Sequence, residues 1–249
     1  HILLALLSKA NRHDVDMISN TRYCLDEFHE RSVDTDVLVA TLSSKMKEID
    51  ENFPLQVLMM SATPDPRVLH CFGKVNTLEL PDSQLFPIDD INIEVDTKSK
   101  VNGEVLRQTF GVIKRFTDES VEKGHILIFT SGNARIKDIQ NGINDQCESQ
   151  CRNDKYIIKV IKDFESMVKD ISVKQFYFKL NKFIKKSEKN CPKNKKMLFI
   201  LPIRYHSSVS NEQKEIGRNP IPGHDNVIKI VIATNAIESS ITITNLAAV

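Results

Sequence analysis

Asp26 and Glu27 are adjacent carboxylates that follow a short run rich in β-formers, Thr21-Arg22-Tyr23-Cys24-Leu25. Read as a buried strand, that run delivers both acids to its C-terminal end, which is where open α/β sheets bind ligands. A carboxylate pair so placed suits nucleotide hydrolysis. One acid holds Mg²⁺ through water, and the other orients the water that attacks the γ-phosphate, with no covalent intermediate. A bare Asp-Glu pair also marks many solvated turns, so the chemistry rests on the residues around it.

Three further apolar runs end in small hydroxyl residues: Leu55 to Ser61-Ala62-Thr63, His125 to Thr130-Ser131-Gly132, and Ile228 to Thr234-Asn235. Each predicts a buried parallel strand that brings Ser or Thr to the same edge. Between the runs, apolar residues recur at helical spacing. Val37, Leu38, Thr41, Leu42, Met46 and Ile49 form one stripe, with Asp34 or Thr35 as N-cap. Val105, Leu106, Val112, Ile113 and Phe116 form a second, and Ile136, Ile139 and Ile143 a third. Ser210 and Gln213 have capping-box spacing for a short helix. Alternating strands and helices predict an α/β fold with parallel sheets and right-handed crossovers. Near Leu80-Pro81 the period changes, and the stretch from Pro81 to Asp96 reads as a proline-punctuated linker entering a β segment. Units of 1–80 and 81–249 follow.

With 249 residues, 41% of them hydrophobic, the chain can bury one large or two modest cores, and its composition is globular. Its five cysteines are scattered, which excludes a disulfide framework or zinc ribbon and points to a reducing, intracellular setting, cytoplasmic or nuclear. His206, Cys147, Cys151 and Cys191 could be imagined as metal ligands, but unreactive thiols fit better. The run Ile2 to Leu7 is too short for a membrane span and lacks the flanks of a signal peptide. Because the chain starts at His1 inside an apolar run and stops at Leu246 to Val249, where a strand begins, it reads as a fragment. A net charge of +1 excludes a wholly basic nucleic-acid binder, yet residues 151–196 hold 14 Lys and Arg against 5 Asp and Glu. There, Ile157, Ile161, Phe164, Val168 and Ile171 fit one helical face that Phe176, Phe178, Phe183 and Ile184 continue, predicting a helical lysine-rich insertion at about 145–197.

Asp26-Glu27-Phe28-His29, followed by Glu30-Arg31 and Asp34-Thr35-Asp36, resembles motif II of the DEAH-box superfamily 2 RNA helicases, with Phe28 where Ala, Ile or Val is usual. Other motifs follow in family order. Ile2-Leu3-Leu4 resembles the tail of motif Ib, Ser61-Ala62-Thr63 motif III, and Phe129-Thr130-Ser131-Gly132 motif IV. The run from Ala233 through Glu238-Ser239-Ser240 to Thr242-Ile243 is similar to motif V, the most specific of the set. Tyr205-His206-Ser207-Ser208 and Pro220 to Gly223 resemble the stretch before motif V in the RNA helicase A-like branch. Phe86-Pro87-Ile88 and Glu94 to Asp96 resemble the entry to the second lobe.

The resemblance implies two RecA-like lobes with parallel sheets, both incomplete, and an ATP-dependent helicase that remodels RNA, single-stranded in the cleft. Asp26 would hold Mg²⁺, Glu27 would act as base, and His29 would couple hydrolysis to RNA handling, although alone it would read as a structural histidine. Ser61, Ala62 and Thr63 would link the nucleotide site to strand separation. Thr130, Ser131, Thr234 and Asn235 would face RNA, and Glu238, Ser240 and Thr242 the nucleotide. Thr244 stands where the family has aspartate, which puts a nucleotide contact there in question. The sequence holds neither GxxxxGK(S/T) nor Gln-x-x-Gly-Arg, so this segment alone is expected not to hydrolyse ATP. A helicase-like RNA-binding scaffold without turnover, and a DNA-directed translocase, are the competing readings. Lysines of the insertion either solvate a helix face or contact RNA or a protein partner. If they contact RNA, they are expected beside the path leading from Thr130-Ser131 and Thr234.

Overall fold

A computed structural model of the chain describes residues 22–29, 32–48, 56–80, 88–95, 101–118, 120–162, 164–234 and 243–249. The chain divides into two compact units, His1–Asp89 and Asp90–Val249.

In the first unit, strands β1 (Arg22–Leu25) and β2 (Gln56–Met59) pair in parallel, with Leu25 opposite Met59. The crossover contains helix α1 (Val33–Glu48), and α2 (Pro66–His70) follows β2. Alternation in β1 buries Tyr23 and Leu25 and exposes Arg22 and Cys24. Their core partners are Phe28, Val39, Leu42 and Val68. The α1 stripe is narrower than its sequence suggests, since Val37 is exposed, while Ile49 lies outside the described residues. Its cap also differs. The Thr35 amide donates to the Ser32 hydroxyl at 3.1 Å, so the helix begins ahead of Asp34, leaving Asp34 and Asp36 in the first turn where the helix dipole favours them. Strand β2 is parallel as expected but only half-covered, with Leu58 59% exposed.

The second unit is built on one all-parallel sheet in the order β4-β5-β6-β3-β7. Its strands are β3 (His125–Phe129), β4 (Tyr156–Val160), β5 (Lys196–Tyr205), β6 (Val227–Ala233) and β7 (Leu246–Ala248). Helices α3 (Val101–Arg115) and α4 (Gly132–Gln150) contribute Phe110, Ile113, Ile136, Ile139 and Ile143 to one face of the sheet. Helices α5 (Phe164–Val168), α6 (Val173–Lys189) and α7 (Asn211–Arg218) cover the other with Phe164, Phe176, Leu180, Ile184 and Ile216. Covering both faces accounts for the apolar run of β6, interrupted by Lys229 and buried at every residue. Gly142 packs against the end of the Leu106 side chain, where α3 and α4 approach closely.

The lysine-rich stretch departs from its expected form in two ways. Ile157 belongs to a strand, not to a helix with Phe164, because Tyr156, Ile158 and Val160 alternate onto one sheet face while Ile157 and Ile161 turn to the other. Phe178 does not continue the apolar surface of α6; it is 73% exposed.

Lys229 is fully buried in β6, and its ammonium donates to the Ile216, Gly217 and Asn219 carbonyls at 3.2, 2.9 and 2.6 Å, closing the C-terminal end of α7. Burial pushes its pKa down to about 8. Beside it, the Lys229 amide donates to His125 Nδ1 at 3.3 Å, fixing the proton on Nε2, which has no partner among the described residues. Among the described residues no helix is long and apolar enough to cross a membrane.

Two outcomes follow. Burial, reinforced by the Lys229 charge, pushes His125 down to about 4. The unfolded chain therefore takes up this proton first, and stability present above about pH 6.5 is lost as pH falls towards 4, by up to about 3 kcal/mol. Denaturant titrations should show this loss, and His125→Gln should remove that share of the pH dependence; an unchanged pH profile in the variant would contradict it. Phe28, 3% exposed at the end of β1, should cost about 3 kcal/mol or more on replacement by alanine. Hydrogen exchange at the β1 and β2 amides reads that loss directly.

Candidate functional site

In the first unit the site is made by the turn after β1 and the turn after β2. Met60 N–H donates to Leu25 O at 2.8 Å and Phe28 N–H to Met60 O at 3.2 Å, so the pairing of β1 and β2 continues into the two turns. Phe28 drops into the core, and its neighbours Glu27 and His29 stay at the surface. Glu27 itself has a φ of 50°, in the left-handed region that non-glycine residues rarely occupy, at a cost of about 1 kcal/mol or more. Asp26 Oδ1 accepts the Glu27 amide at 2.9 Å and supports this turn. Nothing in residue spacing signals that strain.

The result is a contact between the two motifs. His29 Nδ1 lies 3.3 Å from Glu27 Oε2 and 3.2 Å from Ser61 Oγ, and Ser61 Oγ also accepts the Thr63 amide at 3.1 Å. One imidazole nitrogen thus touches the carboxylate of the first turn and the hydroxyl of the second. Ala62 and Thr63 are exposed beside it. Asp26 is exposed, with one carboxylate oxygen holding the Glu27 amide, so its other oxygen is a hard donor of the kind Mg²⁺ takes, usually one or two carboxylates plus water and phosphate. The residues fit that ion. No cluster of three or more His, Cys, Asp or Glu side chains able to hold a metal occurs among the described residues. Cys147 and Cys151 pack together in the core with their sulfurs 4.0 Å apart.

In the second unit the C-terminal sheet edge collects Thr130, Ser131 and Thr234. Phe129 pairs with Ala233, and the Thr130 amide donates to Ala233 O at 2.8 Å, setting the end of β3 against the end of β6. Ser131 is the N-cap of α4, but its hydroxyl makes no capping bond, and Gly132 takes a φ of 78° to turn the chain into the helix. Asn235, Glu238, Ser240 and Thr242 lie outside the described residues, as do Ile2, Leu3 and Leu4. Thr244 is exposed, and its amide and hydroxyl both donate to Arg218 O, at 3.3 and 3.2 Å.

Alongside this edge is a polar network that spacing did not single out. Glu165 Oε1 accepts Arg204 Nε at 2.7 Å and Gln140 Nε2 at 2.9 Å, tying α5 to β5 and α4. Arg218 Nε donates to the Tyr205 hydroxyl at 2.8 Å. Burial, then the Arg204 and Lys214 charges, hold His206 below the usual histidine range. The one available signal was Arg204 inside an otherwise apolar strand.

Helix α6 runs against the strands. It follows α5, whose Glu165 sits by Arg204 near the C-terminal end of β5, and its last turn places Glu188 on Asn226, at 3.0 Å, just ahead of β6. Lys182, Lys185, Lys186 and Lys189 therefore extend towards the N-terminal sheet edge, away from Thr130, Ser131 and Thr234. The expected position beside those residues is corrected by the direction of the helix.

Among curated proteins, the chain is 28% identical over 241 residues to the ATP-dependent RNA helicase DHX30 of Gallus gallus, across 89% of this chain and 15% of the relative. It is 24% identical over 253 residues to the putative ATP-dependent RNA helicase YLR419W of Saccharomyces cerevisiae, across 97% of this chain and 16% of that one. The chloroplastic ATP-dependent RNA helicase DEAH12 of Arabidopsis thaliana is 28% identical over 116 residues, 45% of this chain and 6% of the relative. The chain thus spans about a sixth or less of these relatives. No family model matches. Among solved structures, the E. coli DExH-box NTPase HrpB superposes with a TM-score of 0.61 at 19% identity, over 98% of this chain and 23% of that one. A second structure, of the E. coli DEAH/RHA helicase HrpB, gives 0.57 at 20% identity over 98% and 24%. These two likenesses establish the RecA-like fold. Motif order, fold and sequence relatives agree in likening the chain to the DEAH-box helicases.

Proposed function

We propose that the chain is part of an ATP-dependent RNA helicase, its first unit belonging to the lobe that acts on the nucleotide and its second to the lobe that meets RNA. The observation that carries this reading is the His29 contact to both Glu27 and Ser61, which joins the hydrolytic carboxylate to the turn after the neighbouring strand. Bound Mg²⁺ would neutralise charge on the nucleotide phosphates, held through the free oxygen of Asp26. Glu27 orients the attacking water and accepts its proton, and its left-handed backbone holds the carboxylate clear of the strand end. A change at Glu27 on hydrolysis is felt by His29 and passed to Ser61, and through the Thr63 amide to the following turn.

RNA, single-stranded in the cleft, is the partner that Thr130, Ser131, Thr234 and Asn235 would engage. Hydroxyls and the free amides of the α4 N-terminus suit phosphate oxygens without reading bases. Glu238, Ser240 and Thr242 are assigned to the nucleotide side of motif V on the same resemblance. Without a phosphate-cradling glycine loop in its sequence, the 249-residue segment is not expected to turn over ATP alone. A second reading, an RNA-binding scaffold without turnover, draws support from Thr244, which is bonded to Arg218 O where the family has aspartate.

In the full-length protein, Glu27→Gln should lower RNA-stimulated ATP hydrolysis by about 100-fold or more while leaving Mg·ATP affinity near that of the parent. Steady-state turnover and calorimetry together separate the two effects. Near-normal turnover in the variant would remove Glu27 from the base role, and absence of turnover in the parent would favour the scaffold.

A further inference from the structure

The outer face of α6 is built differently from a helix that only needs to stay hydrated. Phe178, Lys182, Lys185 and Lys189 fall within a narrow stripe at i, i+4, i+7 and i+11, directly opposite the buried Phe176, Leu180 and Ile184. Lys186 flanks the stripe. At 1.5 Å per residue it is about 16 Å long. A shallow groove of about 410 Å³ runs along it, lined by Phe178, Asn181 and these four lysines.

Three features need an explanation. Phe178 leaves 73% of its surface in water at a position where the fold gains nothing from an aromatic ring. Among the described residues, none of Lys182, Lys185, Lys186 and Lys189 has a carboxylate partner, although a solvated helix face is ordinarily laced with i, i+4 pairs of opposite charge. Instead Lys182 stands four residues from Lys186, and Lys185 four from Lys189, so the pairs repel. From Phe178 to Lys196 the chain holds eight lysines and one acidic residue, Glu188, whose carboxylate is bonded to Asn226. The surface continues past the helix end into a second groove of about 510 Å³ that includes Lys123, Lys193 and Lys195.

Uncompensated repulsion on one face, with an exposed ring at the N-terminal end of the lysine stripe, is what a polyanion carrying flat bases would relieve. We infer that the outer face of α6 and the lysines beyond its C-terminus form a second binding surface for single-stranded RNA, separate from the Thr130, Ser131 and Thr234 edge and running from Phe178 towards the opposite end of the sheet. A base stacks on Phe178, and the phosphates that continue from it towards the C-terminal end of α6 follow the lysines. A flat exposed ring beside unpaired lysines matches the bases and phosphates of a single strand, and an acidic protein is the alternative that the test separates from it. The inference rests on the RNA-helicase reading, and it adds a place where strand that has left, or has not yet entered, the cleft is held.

The test is fluorescence anisotropy of a labelled oligouridylate with the full-length protein across a salt series, with circular dichroism melts confirming that each variant is folded. Replacing Lys182, Lys185, Lys186 and Lys189 by glutamine should flatten the slope of log affinity against log salt by about 0.7 for each lysine that had met a phosphate. Phe178→Ala should weaken binding about fivefold or more at every salt concentration and leave the slope unchanged. A Thr130→Ala, Thr234→Ala variant reports on the cleft independently. If it loses affinity while both α6 variants bind like the parent, the second surface is overturned and the helicase reading stands. If the lysine variant alone is impaired and polyglutamate displaces the probe, the face belongs to an acidic protein and the inference also fails. If the parent binds no RNA, both readings fall.

Discussion

The parallel pairing of β1 and β2 is the constraint on which the first unit's site depends. With Leu25 opposite Met59, the two chains leave the sheet together, and the bonds from Met60 N to Leu25 O and from Phe28 N to Met60 O hold their turns edge to edge. A slip of one residue would reverse the facing of every β1 side chain, putting Tyr23 and Leu25 in water. Phe28 secures the same register from below. Its ring is in the core, so Glu27 on one side and His29 on the other have no freedom to follow it. The left-handed backbone at Glu27 is held because hydrogen bonding and packing on both sides over-determine it.

In the second unit the same role is taken by a sheet covered on both faces. Burial of every residue in β6 leaves no tolerance for a shifted strand, and Thr130 and Thr234 are positioned only by that pairing. The buried Lys229 ammonium is the exception among these apolar side chains, and its three carbonyl bonds explain it: α7 ends against the sheet, where water cannot reach its last carbonyls. Replacing the lysine with an apolar residue would leave those carbonyls without donors, so the charge serves the helix end.

Much of this was legible in the sequence. Apolar runs ending in Ser or Thr correctly gave parallel strands at β2, β3 and β6, although β2 is only half-covered, and the Ile136, Ile139 and Ile143 stripe gave α4. What misled was local ambiguity. Tyr156 to Val160 is short and apolar, and its period of two was absorbed into the helical period of the lysine-rich residues after it. Phe178 reads as continuing the apolar surface because it is aromatic, although its position on the wheel is opposite Phe176 and Leu180. At the site, motif order singles out Asp26, Glu27, His29 and Ser61 as candidates. The left-handed turn, the shared contact at His29 Nδ1 and the Glu165-Arg204-Gln140 network could not, because each depends on residues from separate elements meeting in space.

The central claim is that His29 joins Glu27 to Ser61 as one unit. A double-mutant cycle with His29→Ala and Ser61→Ala in the full-length protein, reading strand separation per ATP consumed, tests it most directly. The two substitutions should be non-additive by about 1 kcal/mol or more, the double variant being little worse than either single one, with ATP hydrolysis outlasting strand separation. Additive losses would contradict the account, since they would mean that His29 and Ser61 act separately despite their contact.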